Sequence, residues 1–255
     1  DWWRYESGLG MQPIPAIEIK QMGGRAGRPG FDQYGEALLI ARDKKDEKFL
    51  FENYIKGKLE RIDSQIGNES ALRTHILASI AGAFTRTRAE LLDFFERTFF
   101  AHQRGTSHLF RIMDEVIGFL KKEEMVVLEK KQLKATKFGH RISQLYIDPL
   151  TGVVIRDALL MEKEKEVFAL LHMIARTPDM MSLSMRKKDI EEMLEVFYKH
   201  EENLLIPEDE KYPIDEMLSQ LKTASTLMQW IQEASEDSIV GQFGIGPGDL
   251  RTLIE

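Results

Sequence analysis

The chain has 255 residues, 43% of them hydrophobic, with no cysteine and a net charge of −7. Its length and apolar content provide for about two buried cores and exclude a mainly disordered chain, and the lack of cysteine excludes disulfides, thiolate zinc sites and cysteine nucleophiles. No apolar run approaches the roughly 20 residues that span a bilayer, no signal-peptide pattern opens the chain, and the 6 histidines are scattered, so a soluble, cytoplasmic protein with no membrane partner and no metal site is expected.

Charge is distributed unevenly. Residues 1–57 are neutral, residues 58–148 carry +3 and residues 149–255 carry −10. Phosphate contact depends on Lys and Arg, so any polyanion is expected to meet the first two regions.

In chain order, Pro13 and Pro15 stand where prolines begin helices and Pro29 stands where one must stop, which predicts a helix over 16–27. The apolar run Ala37–Ala41, introduced by Gly35, predicts the one strand outside the middle region. Trp2 and Trp3 are expected to pack against sheet lying outside the chain. Leu72, Ile76, Ile80 and Ala83 give a first helical stripe. Thr87-Arg88-Ala89-Glu90 is a capping box that starts a second helix. Gly105-Thr106-Ser107 opens a third, whose Leu109, Ile112, Met113, Val116, Ile117 and Leu120 form the clearest amphipathic pattern. Met125–Leu128 and Leu133–Thr136 then flank a polar turn as a hairpin. Three helices followed by a hairpin predict a winged helix. Pro149-Leu150-Thr151-Gly152 reads as a linker into an acidic, all-helical region with helices around Ile190–Phe197 and Ile214–Leu221. Near its end, Asp249 reads as the N-cap of a helix that has barely begun at Glu255. The overall expectation is a mostly α chain: the end of an α/β domain over 1–57, a winged helix over 58–148 and a partial all-α domain over 149–255.

On a helix from 16 to 27 extended by one turn, Gln21, Arg25 and Arg28 stand at i, i+4 and i+7 and share one face. Glycines 23, 24 and 27 allow close approach to another surface. Two guanidiniums beside an amide suit a polyphosphate, since Arg matches phosphate oxygens two at a time and can stabilise the charge that builds on a transferring phosphoryl group. A GRxGR string alone also fits a surface loop or an RNA-binding patch.

The run Gln21-Met22-Gly23-Gly24-Arg25-Ala26-Gly27-Arg28-Pro29-Gly30, followed by Asp32, Gly35-Glu36-Ala37 and a short apolar segment, resembles motif VI of the Ski-type superfamily 2 helicases. With the winged helix and the acidic region ending in Gly246-Pro247-Gly248-Asp249-Leu250, essentially the whole chain is similar to the archaeal Hjm-type DNA repair helicases. The resemblance implies an ATP-driven 3′ to 5′ translocase on forked or branched DNA, active in replication-coupled repair. It also implies Gln21 on the nucleotide, Arg25 and Arg28 on its phosphates as catalytic groups, and Arg28 as the arginine finger. The sequence holds no Gly-x-x-x-x-Gly-Lys-Ser/Thr loop and no Asp-Glu strand end for magnesium. ATP and Mg2+ are therefore expected to need the remaining helicase domains, and the chain alone is expected to lack ATPase activity. Those domains, single-stranded and forked DNA, and replication or repair proteins are the implied partners.

Arg104, Ser107, His108, Arg111, Lys121 and Lys122 read as one exposed face of the third helix, interrupted by Asp114 and Glu115, and Lys130, Lys131 and Lys134 sit on the hairpin. They form a candidate DNA-binding set that favours backbone contact over base reading. His108 reads as a cap or surface residue, Trp230 as a core residue, and paired acids such as Glu191-Glu192 as solvated faces. The competing reading is a stand-alone winged-helix module that binds DNA or a protein partner.

Overall fold

Strands β1 (Trp3–Glu6) and β2 (Gly10–Pro13) open the computed structural model as an antiparallel pair with Trp3 opposite Pro13. The structure describes residues 2–6, 10–28, 30–207 and 213–254, so Pro29 lies outside it. The chain is mainly helical with two two-stranded sheets and divides into two units, residues 1–63 and 64–255.

In the first unit, helix α1 (Ala16–Gly23) follows β2, and α2 (Lys44–Leu50) continues into a single π-turn over Phe51–Ile55. Asp43 starts α2 by accepting the Lys45 and Asp46 amides at 2.8 Å. A small core joins Ala16, Leu50 and Tyr54 with Trp2, Ile19 and Phe49. Trp2 stacks on Phe49 with ring centroids 4.8 Å apart and lies tilted against Trp3 at the same separation, so it has aromatic partners within the unit. Pro13 ends a strand, and only Pro15 stands at a helix start.

Two further expectations fail here. Helix α1 stops at Gly23, four residues short of 27. Glycine favours helix termination, and Gly27 has φ +79°, which no α-helix accommodates. Residues 37–41 form no strand, with Leu38 and Ile40 more than four-fifths exposed. A strand exists only with a partner for its N–H and C=O groups, and among the described residues no strand pairs with this run. The β1–β2 pair, by contrast, arises from a segment without clear alternation.

The second unit begins with a 3-10 turn at Gln65–Gly67, and Asn68 caps α3 (Glu69–Ala81) by accepting the Ala71 amide at 2.6 Å. Thr87 caps α4 (Arg88–Glu96) through the Glu90 amide at 3.2 Å, while the Glu90 carboxylate accepts from Arg86, one residue earlier than a full capping box requires. Next come α5 (Phe99–Arg104), α6 (Ser107–Lys122), the antiparallel strands β3 (Val126–Glu129) and β4 (Gln132–Ala135), and α7 (Lys137–Leu145). The winged helix is present, with α5 and α7 added to the expected plan. One core serves it: Leu72, Ile76 and Ile80 of α3, Leu91 and Phe95 of α4, and Met113, Val116 and Leu120 of α6 meet under the hairpin residue Leu133. Each such side chain contributes about 1.5–3 kcal/mol by leaving water.

Pro149–Gly152 is the first turn of α8 (Pro149–Leu160), not a linker. Proline at N1 lacks only an N–H that would have had no helical partner, and Asp148 caps the helix through the Leu150 amide at 2.8 Å. Helices α9 (Val167–Ala175), α10 (Asp189–His200), α11 (Ile214–Ile231), α12 (Glu236–Phe243) and α13 (Pro247–Ile254) complete the unit. Their main core includes Phe168, Leu171, Met193, Leu218, Leu221, Ala224 and Phe243. Asp249 is the third residue of α13 rather than its N-cap, and its carboxylate accepts from the Gly246 amide at 2.9 Å. Trp230 is 40% exposed at the end of α11, so it is not a core residue.

Two buried ion pairs punctuate this unit. Arg73 of α3 donates from Nε and Nη2 to the two carboxylate oxygens of Asp148 at 2.9 and 2.8 Å. Burial pushes the Asp148 carboxyl up, but the hydrogen bonds from Arg73, Ser70 and the Leu150 amide outweigh it and leave the group below the usual carboxylate range. Asp189 accepts Lys222 Nζ at 2.7 Å and the Arg186 guanidinium at 2.7–3.0 Å. Its carboxyl is likewise held low despite burial.

Candidate nucleotide and nucleic-acid interfaces

Gln21 lies in the last turn of α1, whose first two free amides, Ala16 and Ile17, donate to the Glu60 carboxylate at 2.6 and 2.9 Å. Hydrogen bonds from the Ala16 amide, from the Glu60 amide itself and from the Ile17 amide hold the Glu60 carboxyl below its ordinary range. The end of α1 is closed by the Gly24 amide on the Lys20 carbonyl at 2.8 Å, and the chain then turns through Arg25 to Met22 at 3.0 Å and Ala26 to Gly23 at 3.1 Å.

The next turn is built on a close crossing of backbone. A Cβ on Gly35 would lie 2.3 Å from the Ala26 carbonyl oxygen, and one on Gly27 would lie 3.1 Å from Gly35 Cα. Only glycine at 35 lets residues 34–35 pass across 26–27, which draws residues 27–35 into a loop with Arg28 near its start. Within it, the Asp32 carboxylate accepts the Arg28 amide at 2.7 Å and lies 3.5 Å from Arg28 Nε. The Arg28 guanidinium also sits 5.7 Å from the centre of the Phe31 ring. Its side chain remains 79% exposed.

Gln21, Arg25 and Arg28 are thus all exposed, but they do not share one helical face. Gln21 belongs to α1, Arg25 to the turn that ends it and Arg28 to the glycine-closed loop. Among the described residues, no hydrogen bond or ion pair engages the Arg25 guanidinium or the Gln21 amide. Asp32, which holds the Arg28 backbone amide, is not among the sequence-predicted site residues; its i+4 spacing from Arg28 is the signal that could have found it. As a donor set, one amide and two guanidiniums fit phosphate oxygens and a nucleoside edge. Nothing in the set fits a divalent cation, and no cluster of metal-ligating side chains occurs among the described residues.

In the winged helix, Arg104 ends α5 and is not on α6. Gly105, with φ +77°, breaks the helix between them. Ser107 begins α6, but its side chain and that of His108 lie outside the described residues. Arg111 is exposed and 3.8 Å from Glu115. Lys121 and Lys122 occupy the last turn of α6, with Lys122 Nζ 3.5 Å from Glu123. Lys130 and Lys131 form the hairpin turn itself, at φ +48° and +67°, and Lys134 pairs with Glu129 at 2.9 Å.

Asp114 does not simply interrupt a basic face. Arg88 of α4 grips it with two bonds of 2.6 Å. That hydrogen bonding holds the Asp114 carboxyl below its ordinary range, so its charge is matched by a cation from the neighbouring helix. No helix of the described residues is long and apolar enough to cross a membrane.

Residues 35–127 match a helix-turn-helix domain family, and residues 168–255 match the family described as archaeal helicase, domain 4. The whole chain is 41% identical to the ATP-dependent DNA helicase Hel308 of Methanocella arvoryzae, covering 35% of that protein. It is 41% identical to its counterpart in Thermococcus kodakarensis, covering 23%, and 39% identical to that of Pyrococcus horikoshii, covering 36%. The chain spans about a third or less of the length of these relatives. Every residue of the chain falls inside these alignments, so the chain matches, over its whole length, a segment of the archaeal Hel308 helicases.

Proposed function

We propose that this chain supplies the arginine side of an ATP site, together with DNA-backbone contacts, to an ATP-dependent 3′ to 5′ DNA helicase that acts on forked or branched DNA. The observation that carries the proposal is the glycine-closed loop that presents Arg28, its backbone held by Asp32, beside the exposed Arg25 and Gln21. The relatives are named as ATP-dependent DNA helicases, which supports the same reading. In this assignment residues 1–57 end a RecA-like domain, residues 58–148 are the winged helix and residues 149–255 begin the helical ratchet domain.

When bound, ATP supplies the phosphoryl group whose transfer to water releases the free energy for movement. Gln21 contacts the nucleotide through its amide, and Arg25 donates to phosphate oxygens. Arg28 places its guanidinium where negative charge increases during transfer, a role that an arginine finger fills in other nucleoside-triphosphate hydrolases at a gain of about 10³–10⁵ in turnover. The Asp32 carboxylate fixes the Arg28 backbone through its amide, while the Arg28 side chain stays exposed to reach a phosphate. Magnesium ligands belong to the other domains of the enzyme. Arg104, Ser107, Arg111, Lys121, Lys122, Lys130, Lys131 and Lys134 meet DNA phosphates without reading sequence.

In the complete helicase, Arg28→Ala is expected to reduce DNA-stimulated ATP turnover at least about 10³-fold while leaving nucleotide-free DNA affinity unchanged. Normal turnover in that variant rejects the finger assignment. A salt series tests the DNA reading: affinity should fall steeply and alike for every duplex sequence, whereas one strongly preferred sequence favours a stand-alone regulator.

A further inference from the structure

The side chains assigned to the nucleotide hang from α1. Gln21 lies in its last turn, and the Arg25 and Ala26 amides donate to the Met22 and Gly23 carbonyls at its end. Apolar packing alone secures this helix poorly, because only Ala16 of its 8 residues is fully buried.

Polar bonds set its place instead, and three residues of one later segment make them. Tyr54 Oη donates to the Ile14 carbonyl at 2.7 Å, just ahead of the helix. Lys20 Nζ donates to the Gly57 carbonyl at 2.9 Å, and the Glu60 carboxylate accepts the Ala16 and Ile17 amides at 2.6 and 2.9 Å, one on each oxygen. From β1, Arg4 forks onto Glu18 at 2.9 and 3.2 Å.

The Glu60 contact differs from the others in kind. The Arg4–Glu18 pair and the Lys20 bond act through flexible side chains of α1, so the helix backbone can shift behind them, and Tyr54 grips backbone outside the helix. Glu60 holds two successive backbone amides of the first turn, and a carboxylate accepts on both oxygens. It thereby fixes the start and the heading of α1 together. A helix of 8 residues is about 12 Å long and moves as a single rod, so a displacement of its first turn is carried to Gln21 and to the turn that follows. Glu60 itself is exposed, so burial does not force it onto α1.

We propose that Glu60 is a positioning residue for ATP turnover: by holding the first turn of α1, it sets where Gln21, Arg25 and Arg28 stand against the bound nucleotide. The inference rests on the nucleotide-site reading above and adds to it a residue that acts only through α1.

The test is Glu60→Gln in the complete helicase. Glutamine keeps the length but has one acceptor oxygen, so its amino group faces the second helix amide and the grip on the first turn is lost. Turnover is measured as single turnovers of radiolabelled ATP with DNA present, well below the unfolding midpoint of each variant, so that slow variants are read on the same scale. The rate should fall by about ten- to a hundred-fold, the loss expected when a catalytic group is displaced by about 1 Å. A residue that acts through Arg28 has little left to misplace once Arg28 is gone. Adding Glu60→Gln to Arg28→Ala should therefore lower the residual rate far less than the same change lowers the parent's. A parent-like rate in Glu60→Gln overturns the positioning role and leaves the finger assignment intact. The same fold loss with and without Arg28 also overturns it, since a general loosening of the first unit would act equally in both backgrounds. A normal rate in Arg28→Ala alone overturns the finger assignment, and this inference with it.

Discussion

Asp148 and Arg73 are joined by two short bonds although 75 positions separate them, and the Asp148 carboxylate is 1% exposed. The same carboxylate caps α8, and the Asp148 amide donates to Asp179 at 2.9 Å. One residue thus ties the winged-helix core to the first helix of the following bundle. Removing one partner of a buried pair leaves an uncompensated charge. Arg73→Met is therefore expected to destabilise the second unit by about 3–5 kcal/mol, read as a lowered urea midpoint for loss of helical signal. The double variant Arg73→Met with Asp148→Asn should recover much of that loss, because asparagine still caps the helix and no charge remains buried. Equal destabilisation in both variants would mean that packing, not charge, dominates.

His172 is fully buried on α9, and neither ring nitrogen has a hydrogen-bond partner. Burial, and secondarily the Arg176 charge, push its pKa down to about 3 from 6.5. The folded state holds the neutral ring, while the unfolded chain takes up a proton below its ordinary pKa. The sign follows directly: stability is complete above about pH 6.5 and declines by roughly 1.4 kcal/mol per pH unit as the pH falls toward 3. The Asp148 and Asp189 carboxyls, both held low when folded, add a further loss below their ordinary value of 3.8. His172→Phe should therefore flatten the stability profile between pH 6 and 4 yet leave the steep fall at lower pH. Urea titrations across that range provide the measurement, and an unchanged slope would show that His172 is not the group responsible.

How much of this could be read from the sequence depends on where the determinants lie. The amphipathic run from Ile112 to Leu120, the Thr87 cap and the polar turn between Leu128 and Leu133 are local signals, and each produced its element. Pro149 was legible too, but a proline at a helix start and one in a linker look alike until Asp148 is seen capping the helix. Residues 37–41 misled because an apolar run shows strand propensity without revealing whether a partner strand exists. The common face of Gln21, Arg25 and Arg28 failed for a local reason, since glycines at 23, 24 and 27 favour the break that the structure contains. The hollow lined by Leu150, Pro178 and Pro213 could not have been read at all. It depends on Pro178, Pro213 and Leu150 converging from three separated segments.

Gly244 ends α12 at φ +60°, with its amide on the Val240 carbonyl at 2.9 Å. Arg186 lies across it, donating to the Gln242 carbonyl at 3.0 Å as well as to Asp189. A Cβ at position 244 would fall 1.2 Å from Arg186 Nη1, so even alanine forces the guanidinium away. Gly244→Ala is expected to cost about 1–3 kcal/mol, combining the left-handed backbone with loss of the Gln242 contact. Adding Arg186→Ala to Gly244→Ala should cost less than the sum of the two single changes, which thermal unfolding of the four proteins would reveal. Strict additivity would show that Arg186 does not constrain position 244.

Lys130 and Lys131 occupy the two central positions of the β3–β4 turn, and both have positive φ, as the favoured two-residue hairpin turn requires. Lysine adopts this backbone reluctantly, whereas Asn-Gly is the pair best suited to it. On stability alone, replacing Lys130-Lys131 with Asn-Gly should help by about 1 kcal/mol. If the hairpin tip touches DNA phosphates, the same change removes up to two cations from the contact. The variant should then raise the unfolding midpoint and at the same time weaken duplex binding, with the slope of log affinity against log salt shallower by about one to two. Circular dichroism melts and anisotropy titrations at several salt concentrations measure the two effects independently. A stabilised variant with an unchanged salt slope would remove the hairpin from the DNA path, leaving Arg111, Lys121 and Lys122 of α6 and Arg104 of α5 to provide the contact.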